Sequence, residues 1–182
     1  MVALNKLQFI KIENLLSKEE VDLITEYCNI KHRENFTSYD FDQNNNGDTY
    51  FYKDPVMQSL AKAKKKIFEE KTGIKLFETY TFWRCYTYNA ILTKHRDRPS
   101  CEISATICIN SDGTQWPIYM GGQAIDLNPG DGIIYNGCHV EHWRDAFKGD
   151  FQHQVFLHYV DANGEYKDYK GDDEDVRKRK GI

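Results

Sequence analysis

The chain has 182 residues, of which 40% are hydrophobic and 14% aromatic, enough apolar material for one sizeable core and no reason to invoke two. Its 24 Lys and Arg stand against 28 Asp and Glu, a formal net charge of -4, so no global positive field draws in a phosphate backbone and nucleic acid is not the expected partner. The five cysteines form no C-x-x-C pair and follow no secretory segment, and no apolar run is long enough to cross a bilayer, so reduced thiols in a soluble, cytoplasmic protein are expected.

The chain opens on a short strand, Leu7 to Ile12. Ser17-Lys18-Glu19-Glu20 is then a capping box, whose serine and glutamate can satisfy orphan amides, and it predicts a helix over about 17–30. Val21, Ile24 and Cys28 mark its buried stripe, and Leu16 before the cap with Val21 fits a hydrophobic staple. Asp40 to Asp48 is a polar, turn-rich stretch, a candidate lid or an ordinary surface loop. Asp54-Pro55 starts a second helix with proline in its first position, running along Val56, Leu60, Ala63 and Ile67 to Thr72-Gly73. Lys62, Lys64, Lys65 and Lys66 mostly fall on its other side, as a solvated face.

From residue 74 the periodicity changes to that of strands: Ile74–Tyr88, Ser104–Ile109, Pro117–Met120, Gln123–Leu127, Gly132–Tyr135, Val140–Trp143 and Gln154–Val160. Free cysteines inside these runs, Cys85 and Cys108, are expected to act as small buried hydrophobes. Turns at Asn110 to Gly113, Gly121-Gly122 and Asn128 to Gly132 separate the strands, the last with Pro129 and Gly130 where a type II turn wants them. Helices followed by many short, closely spaced strands predict a mainly β protein, a jelly roll of the cupin-like, double-stranded β-helix kind with the helices packed outside. The expected organisation is one domain over 1–161, with a helical part to about 73 and a core from about 74. The charged tail, 162–182, reads as solvated or partly disordered.

The chemistry concentrates in Lys94-His95-Arg96-Asp97-Arg98, where an imidazole and a carboxylate two residues apart share one face of extended backbone and can reach one ion. A second histidine must come from a distant strand, and the segment Cys138 to Arg144 offers His139 and His142. Two histidines and one carboxylate on one triangular face make the ligand set of non-haem iron(II) oxygenases, with open positions opposite. Strand alternation puts Val140, His142 and Arg144 on one face and His139, Glu141 and Trp143 on the other.

Five phrases then occur in order: Arg-Pro-Ser-Cys-Glu-Ile-Ser at 98–104, Trp-Pro-Ile-Tyr at 116–119, Pro-Gly-Asp at 129–131, Glu-His-Trp-Arg at 141–144 and Val-Phe-Leu-His-Tyr-Val-Asp at 155–161. With these, the stretch from about 9 to 161 resembles the 2-oxoglutarate/Fe(II) oxygenase superfamily near its prolyl 4-hydroxylase-like branch, and in particular a small phage and bacterial group with the Glu-His-Trp-Arg motif. The resemblance implies that His95, Asp97 and His142, rather than the rival His139, hold Fe(II). It implies that 2-oxoglutarate and O2 are cosubstrates, and that a C–H bond of a peptide, such as a prolyl residue, or of a small molecule is hydroxylated with release of succinate and CO2. Relatives place a cation for the far carboxylate of 2-oxoglutarate about ten residues beyond the distal histidine, but Phe151-Gln152-His153-Gln154 stands there. Arg144, on the face of His142, is the expected substitute, since guanidinium clasps carboxylate two-pronged. Tyr86 matches a tyrosine that lines this pocket in relatives. Ser104 and Thr106 are candidate hydroxyl contacts, and Arg84, Arg98 and Lys94 are weaker anchors that could instead pair with Glu102. His32 and His153 read as surface residues, and His158 as a structural imidazole or a pocket residue. Two competing readings are a cupin-like metal-binding protein or metalloenzyme without 2-oxoglutarate, and a nucleic-acid demethylase, the latter disfavoured by charge.

Overall fold

The computed structural model describes residues 8–34 and 48–172. Strand β1 (Phe9–Ile12) leads into helix α1 (Lys18–Glu34), whose capping box forms as expected: Ser17 N–H donates to Glu20 Oε2 at 2.8 Å and Glu20 N–H to Ser17 Oγ at 3.2 Å. Strand β2 (Thr49–Tyr52) precedes helix α2 (Pro55–Thr72), capped by Asp54, which accepts from the amides of Val56 and Met57, and closed by Gly73 in the left-handed region at φ 74°.

Eight strands follow: β3 (Leu76–Thr87), β4 (Leu92–His95), β5 (Ile103–Ser111), β6 (Ile118–Met120), β7 (Gln123–Ile125), β8 (Gly132–Asn136), β9 (His142–Arg144) and β10 (Phe151–Asp161). With β1 and β2 they pair antiparallel into two sheets, six strands in the order β1-β8-β5-β10-β3-β2 and four in the order β4-β9-β6-β7. This is the expected double-stranded β-helix. The turn before β8 is the expected type II turn: Gly130 has φ 92° and the Asp131 amide donates to the Asn128 carbonyl at 2.9 Å.

Period-two alternation decides which residues reach the site. On the large sheet, Trp83 and Cys85 of β3, Ile103, Ala105, Ile107 and Ile109 of β5, Ile134 of β8 and Val155, Leu157 and Tyr159 of β10 join the main core with Ile24 and Cys28 of α1 and Met57, Leu60 and Phe68 of α2. The helices therefore cover the outer face. The intervening residues, among them Tyr80, Phe82, Arg84 and Tyr86 on β3 and Phe156 and His158 on β10, line a cavity with residues of the smaller sheet. Cys85 and Cys108 are buried and free, as expected.

Several expectations change. The apolar face of α2 is Met57, Leu60, Ala61 and Phe68 rather than a row through Ala63, and Lys64 lies on that buried side, 2.7 Å from Glu20 of α1. The lysine run is thus not one solvated face, because a cation with an anion opposite it can be buried. His153 is buried, not on the surface: β10 parity turns it toward α1, where Nε2 lies 3.1 Å from Asn29 Oδ1 and the ring stacks on Trp83. Burial lowers its pKa to about 4. His32 is half-buried, with Nδ1 2.7 Å from Thr49 Oγ1, and burial lowers its pKa too. The first part of the tail is ordered but mostly solvent-facing: Lys167–Asp172 forms a kinked 3₁₀ stretch against β3, in which Tyr169 and Asp172 are buried. The candidate lid lies outside the described residues except for Asp48, which is buried.

Candidate metal centre and cavity

Strand β4 ends at His95, and β9 begins at His142; the two are register partners across the β4–β9 pair, with ring centroids 4.2 Å apart. Asp97 follows in the segment after β4, where its amide donates to the Gly137 carbonyl at 2.9 Å. That approach needs a glycine, because a Cβ on Gly137 would collide with the Cys101 carbonyl oxygen and the Asp97 carboxylate. Asp97 Oδ1 lies 3.6 Å from His95 Nε2 and 3.7 Å from His142 Nε2. The ligand atoms of all three lie within 4.8 Å of one another.

The hydrogen bonds behind these atoms settle what they present. His95 Nδ1 is 2.6 Å from the Thr93 carbonyl and His142 Nδ1 is 2.9 Å from the Val140 carbonyl. A carbonyl only accepts, so each Nδ1 carries the proton and each Nε2 turns a lone pair toward Asp97. Ser104 Oγ lies 3.0 Å from Asp97 Oδ2, 2.9 Å from the Cys101 carbonyl oxygen and 2.8 Å from His158 Nδ1, so the hydroxyl ties the carboxylate, that carbonyl and the imidazole into one network. Two imidazole lone pairs and one oriented carboxylate form a donor set suited to a divalent transition metal. Burial pushes the Asp97 carboxyl upward, but the interaction with His95 and the fields of the His158 and His142 imidazoles outweigh it and hold its pKa low. The pKa of His95 is raised, because Asp97 favours the protonated ring, in which Nε2 would carry a proton, and that of His142 is lowered by burial. His139 is exposed on the opposite face of the segment, away from this cluster.

The cavity has a volume of about 420 Å³ and takes in all three of these residues. Tyr86 lines it, packed edge-on against Trp116 at 4.9 Å. Arg144 lies behind that wall, 1% exposed, with Nη1 donating to the Trp116 carbonyl and the guanidinium 4.6 Å from the Trp116 ring centre. Its Nε and Nη2 are buried with no hydrogen-bond partner among the described residues, and burial lowers its pKa. The rival cations are engaged: Arg84 Nε bonds Asp48 at 2.7 Å, Arg98 lies 3.3 Å from Asp172, and Lys94 lies 2.9 Å from Glu141. Their partners are not Glu102, whose carboxylate accepts from the Asp161 amide. Ser104 and Thr106 do not line the cavity; Ser104 serves Asp97 and His158, and Thr106 accepts from Gln154 at 2.7 Å. His158 is both structural and cavity-lining.

Sequence reasoning did not find Tyr135, Tyr50, Tyr80 or Phe82 as wall residues. Tyr135 meets His142 edge-on with centroids 4.8 Å apart, and the alternation along β8 could have pointed to it. Gly137 was also missed, and its only signal is a glycine two residues after a strand aromatic.

No protein-family profile and no curated sequence matches the chain. Solved structures do. The α-ketoglutarate-dependent non-haem epimerase SnoN of nogalamycin biosynthesis superposes with a TM-score of 0.71 at 12% identity, covering 87% of this chain and 83% of that one. A prolyl 4-hydroxylase of Pseudomonas putida gives 0.64 at 14% identity, covering 87% and 97%. A Trichoplax adhaerens prolyl hydroxylase, solved with a hypoxia-inducible-factor peptide, gives 0.65 at 15% identity over 87% and 86%. At such identities the likeness is one of fold. No helix among the described residues is long and apolar enough to cross a membrane.

Proposed function

We propose that the chain is an Fe(II)- and 2-oxoglutarate-dependent dioxygenase that hydroxylates an unactivated C–H bond, with His95, Asp97 and His142 holding the metal. The observation that carries this reading is the pair of imidazoles whose Nδ1 protons are committed to backbone carbonyls, so that both Nε2 atoms converge on one carboxylate. Iron and 2-oxoglutarate, with O2, would supply the oxidising power, releasing succinate and CO2. The protein's own part is to bind, orient and keep water out. Ser104 fixes the outer oxygen of Asp97, leaving Oδ1 toward the histidines. Tyr135 packs edge-on against His142, and Phe82 and Phe156 make the cavity wall apolar.

For 2-oxoglutarate, Arg144 is the proposed anchor of the far carboxylate. Support comes from its two unpartnered guanidinium nitrogens beside Tyr86, since a buried cation without its counter-ion invites an anion. A peptidyl substrate, prolyl or other, is the proposed target, supported by the prolyl hydroxylases among the similar folds. The five unpaired cysteines support a reducing, cytoplasmic setting, and the two paired sheets support one oxygenase domain, with Lys167–Asp172 packed onto it.

The test is iron-dependent conversion of 2-oxoglutarate to succinate, with the visible absorption of the anaerobic iron/2-oxoglutarate complex as a second readout. Peptides that gain one oxygen atom would identify the substrate class. Metal binding with neither succinate nor the visible band would favour the cupin-like reading instead.

A further inference from the structure

Next to the first cluster lies another, which shares Asp97 with it and whose two other members serve no part as ligands in the proposed reaction. Asp97, Cys101 and His158 also bring one ligand atom each within 4.8 Å of one another. Cys101 ends the 3₁₀ turn Pro99–Cys101, and His158 projects from the inner face of β10. Both are buried, yet both line the cavity along with Asp97, so an ion entering the cavity reaches all three. His158 Nδ1 lies 2.8 Å from Ser104 Oγ, and in the tautomer that donates there Nε2 carries a lone pair. Cys101 Sγ is 3.0 Å from the Tyr80 hydroxyl, which can donate to a thiolate there.

The donor types distinguish this trio from the first. One sulfur, one nitrogen and one oxygen suit a borderline or soft ion, which binds thiolate at about 2.3 Å and imidazole at about 2.0 Å in tetrahedral geometry. Three protein ligands leave the fourth position open toward the cavity. We propose that Asp97, Cys101 and His158 form a second cation site for a thiophilic divalent ion of the zinc class, coupled to the first because Asp97 belongs to both. Binding replaces the S–H bond of Cys101 with a sulfur–metal bond, and the thiol proton leaves to solvent. An ion held there draws on the Asp97 carboxylate, so it weakens binding of iron at His95 and His142. The site stands independently of the oxygenase reading.

Cadmium is the probe. Titrated anaerobically into the full chain, it should produce one equivalent of ultraviolet thiolate-to-cadmium charge transfer. The band should persist in His142→Ala and in Cys138→Ser, disappear in Cys101→Ser, and need about 10-fold or more cadmium in His158→Ala. No band in the unmodified chain, or a band surviving Cys101→Ser, overturns the proposal. So does loss of the band in His142→Ala, which would mean that the thiol serves the first site. Should Cys101→Ser not fold, cadmium-edge X-ray absorption of the unmodified chain decides: one sulfur neighbour is expected, and none refutes. The iron/2-oxoglutarate band, recorded without cadmium, tests the oxygenase reading separately.

Discussion

Replacing Arg144 separates two quantities that usually move together. Among the described residues the guanidinium is buried with Nε and Nη2 unpartnered, held by the bond to the Trp116 carbonyl and the contact with its ring. A charged hydrogen bond contributes about 1.5–3 kcal/mol and a cation–π contact about 0.5–2 kcal/mol, against a desolvation cost of several kcal/mol for the ion. Arg144→Met, which keeps the length and apolar stem, should therefore change stability toward denaturant by less than about 2 kcal/mol, in either direction. Binding of 2-oxoglutarate should respond quite differently, weakening by about 10- to 150-fold as a charge-assisted pair worth about 1.5–3 kcal/mol is lost. Arg144→Lys should recover only part of this, since ammonium cannot present two parallel donors. Urea titration of the metal-free protein measures the first quantity and anaerobic titration of the visible band the second. Unchanged cosubstrate affinity in Arg144→Met refutes the anchor. A stability loss of about 3–5 kcal/mol would instead make the arginine a structural group.

Further expectations follow from the same geometry. His95→Ala, Asp97→Ala and His142→Ala should each abolish iron-dependent succinate formation while His139→Ala keeps most of it; activity in His142→Ala would reverse the assignment. Gly137→Ala should cost about 1–3 kcal/mol of stability and weaken metal binding, because the added methyl meets the Asp97 carboxylate and the Cys101 carbonyl; calorimetry of both quantities checks it. His153 holds a folded pKa of about 4 against an ordinary value of 6.5, so between those values the unfolded chain binds the extra proton. Stability is thus full above about pH 6.5 and lost as pH falls toward 4, by about 3 kcal/mol from this residue, and His153→Gln should flatten that part of the pH–stability curve.

What the sequence disclosed was whatever short-range chemistry decides. The caps at Ser17, Asp54 and Gly73 and the turn at Pro129-Gly130 depend on neighbours a few residues away, and they formed as expected. The alternation of Val140, His142 and Arg144 also held, since a strand of known parity needs only one buried residue to orient the rest. Lys64 and His153 were misread because their burial depends on Glu20 and Asn29, partners brought by tertiary packing from distant sequence. Strand β2 escaped notice for a related reason: it is four residues long and exists by pairing with β3. The roles of Ser104 and Gly137 lie in a network around Asp97 that no local pattern encodes.

The register pairing of His95 with His142 has a mechanical side. Strands β4 and β9 are four and three residues long, and their ladder is interrupted between Leu92 and His95, so few backbone bonds clamp one edge of the smaller sheet to the next strand. An ion bound by both imidazoles would act as a cross-strand rivet at the open end of that ladder. Loading then tightens the hinge between the strands, and the free energy of the rivet adds to the unfolding cost of that edge by mass action. Amide exchange in β4 and β9 would slow on metal addition while the helix-covered face of the larger sheet kept its rate, making the smaller sheet a gauge of occupancy.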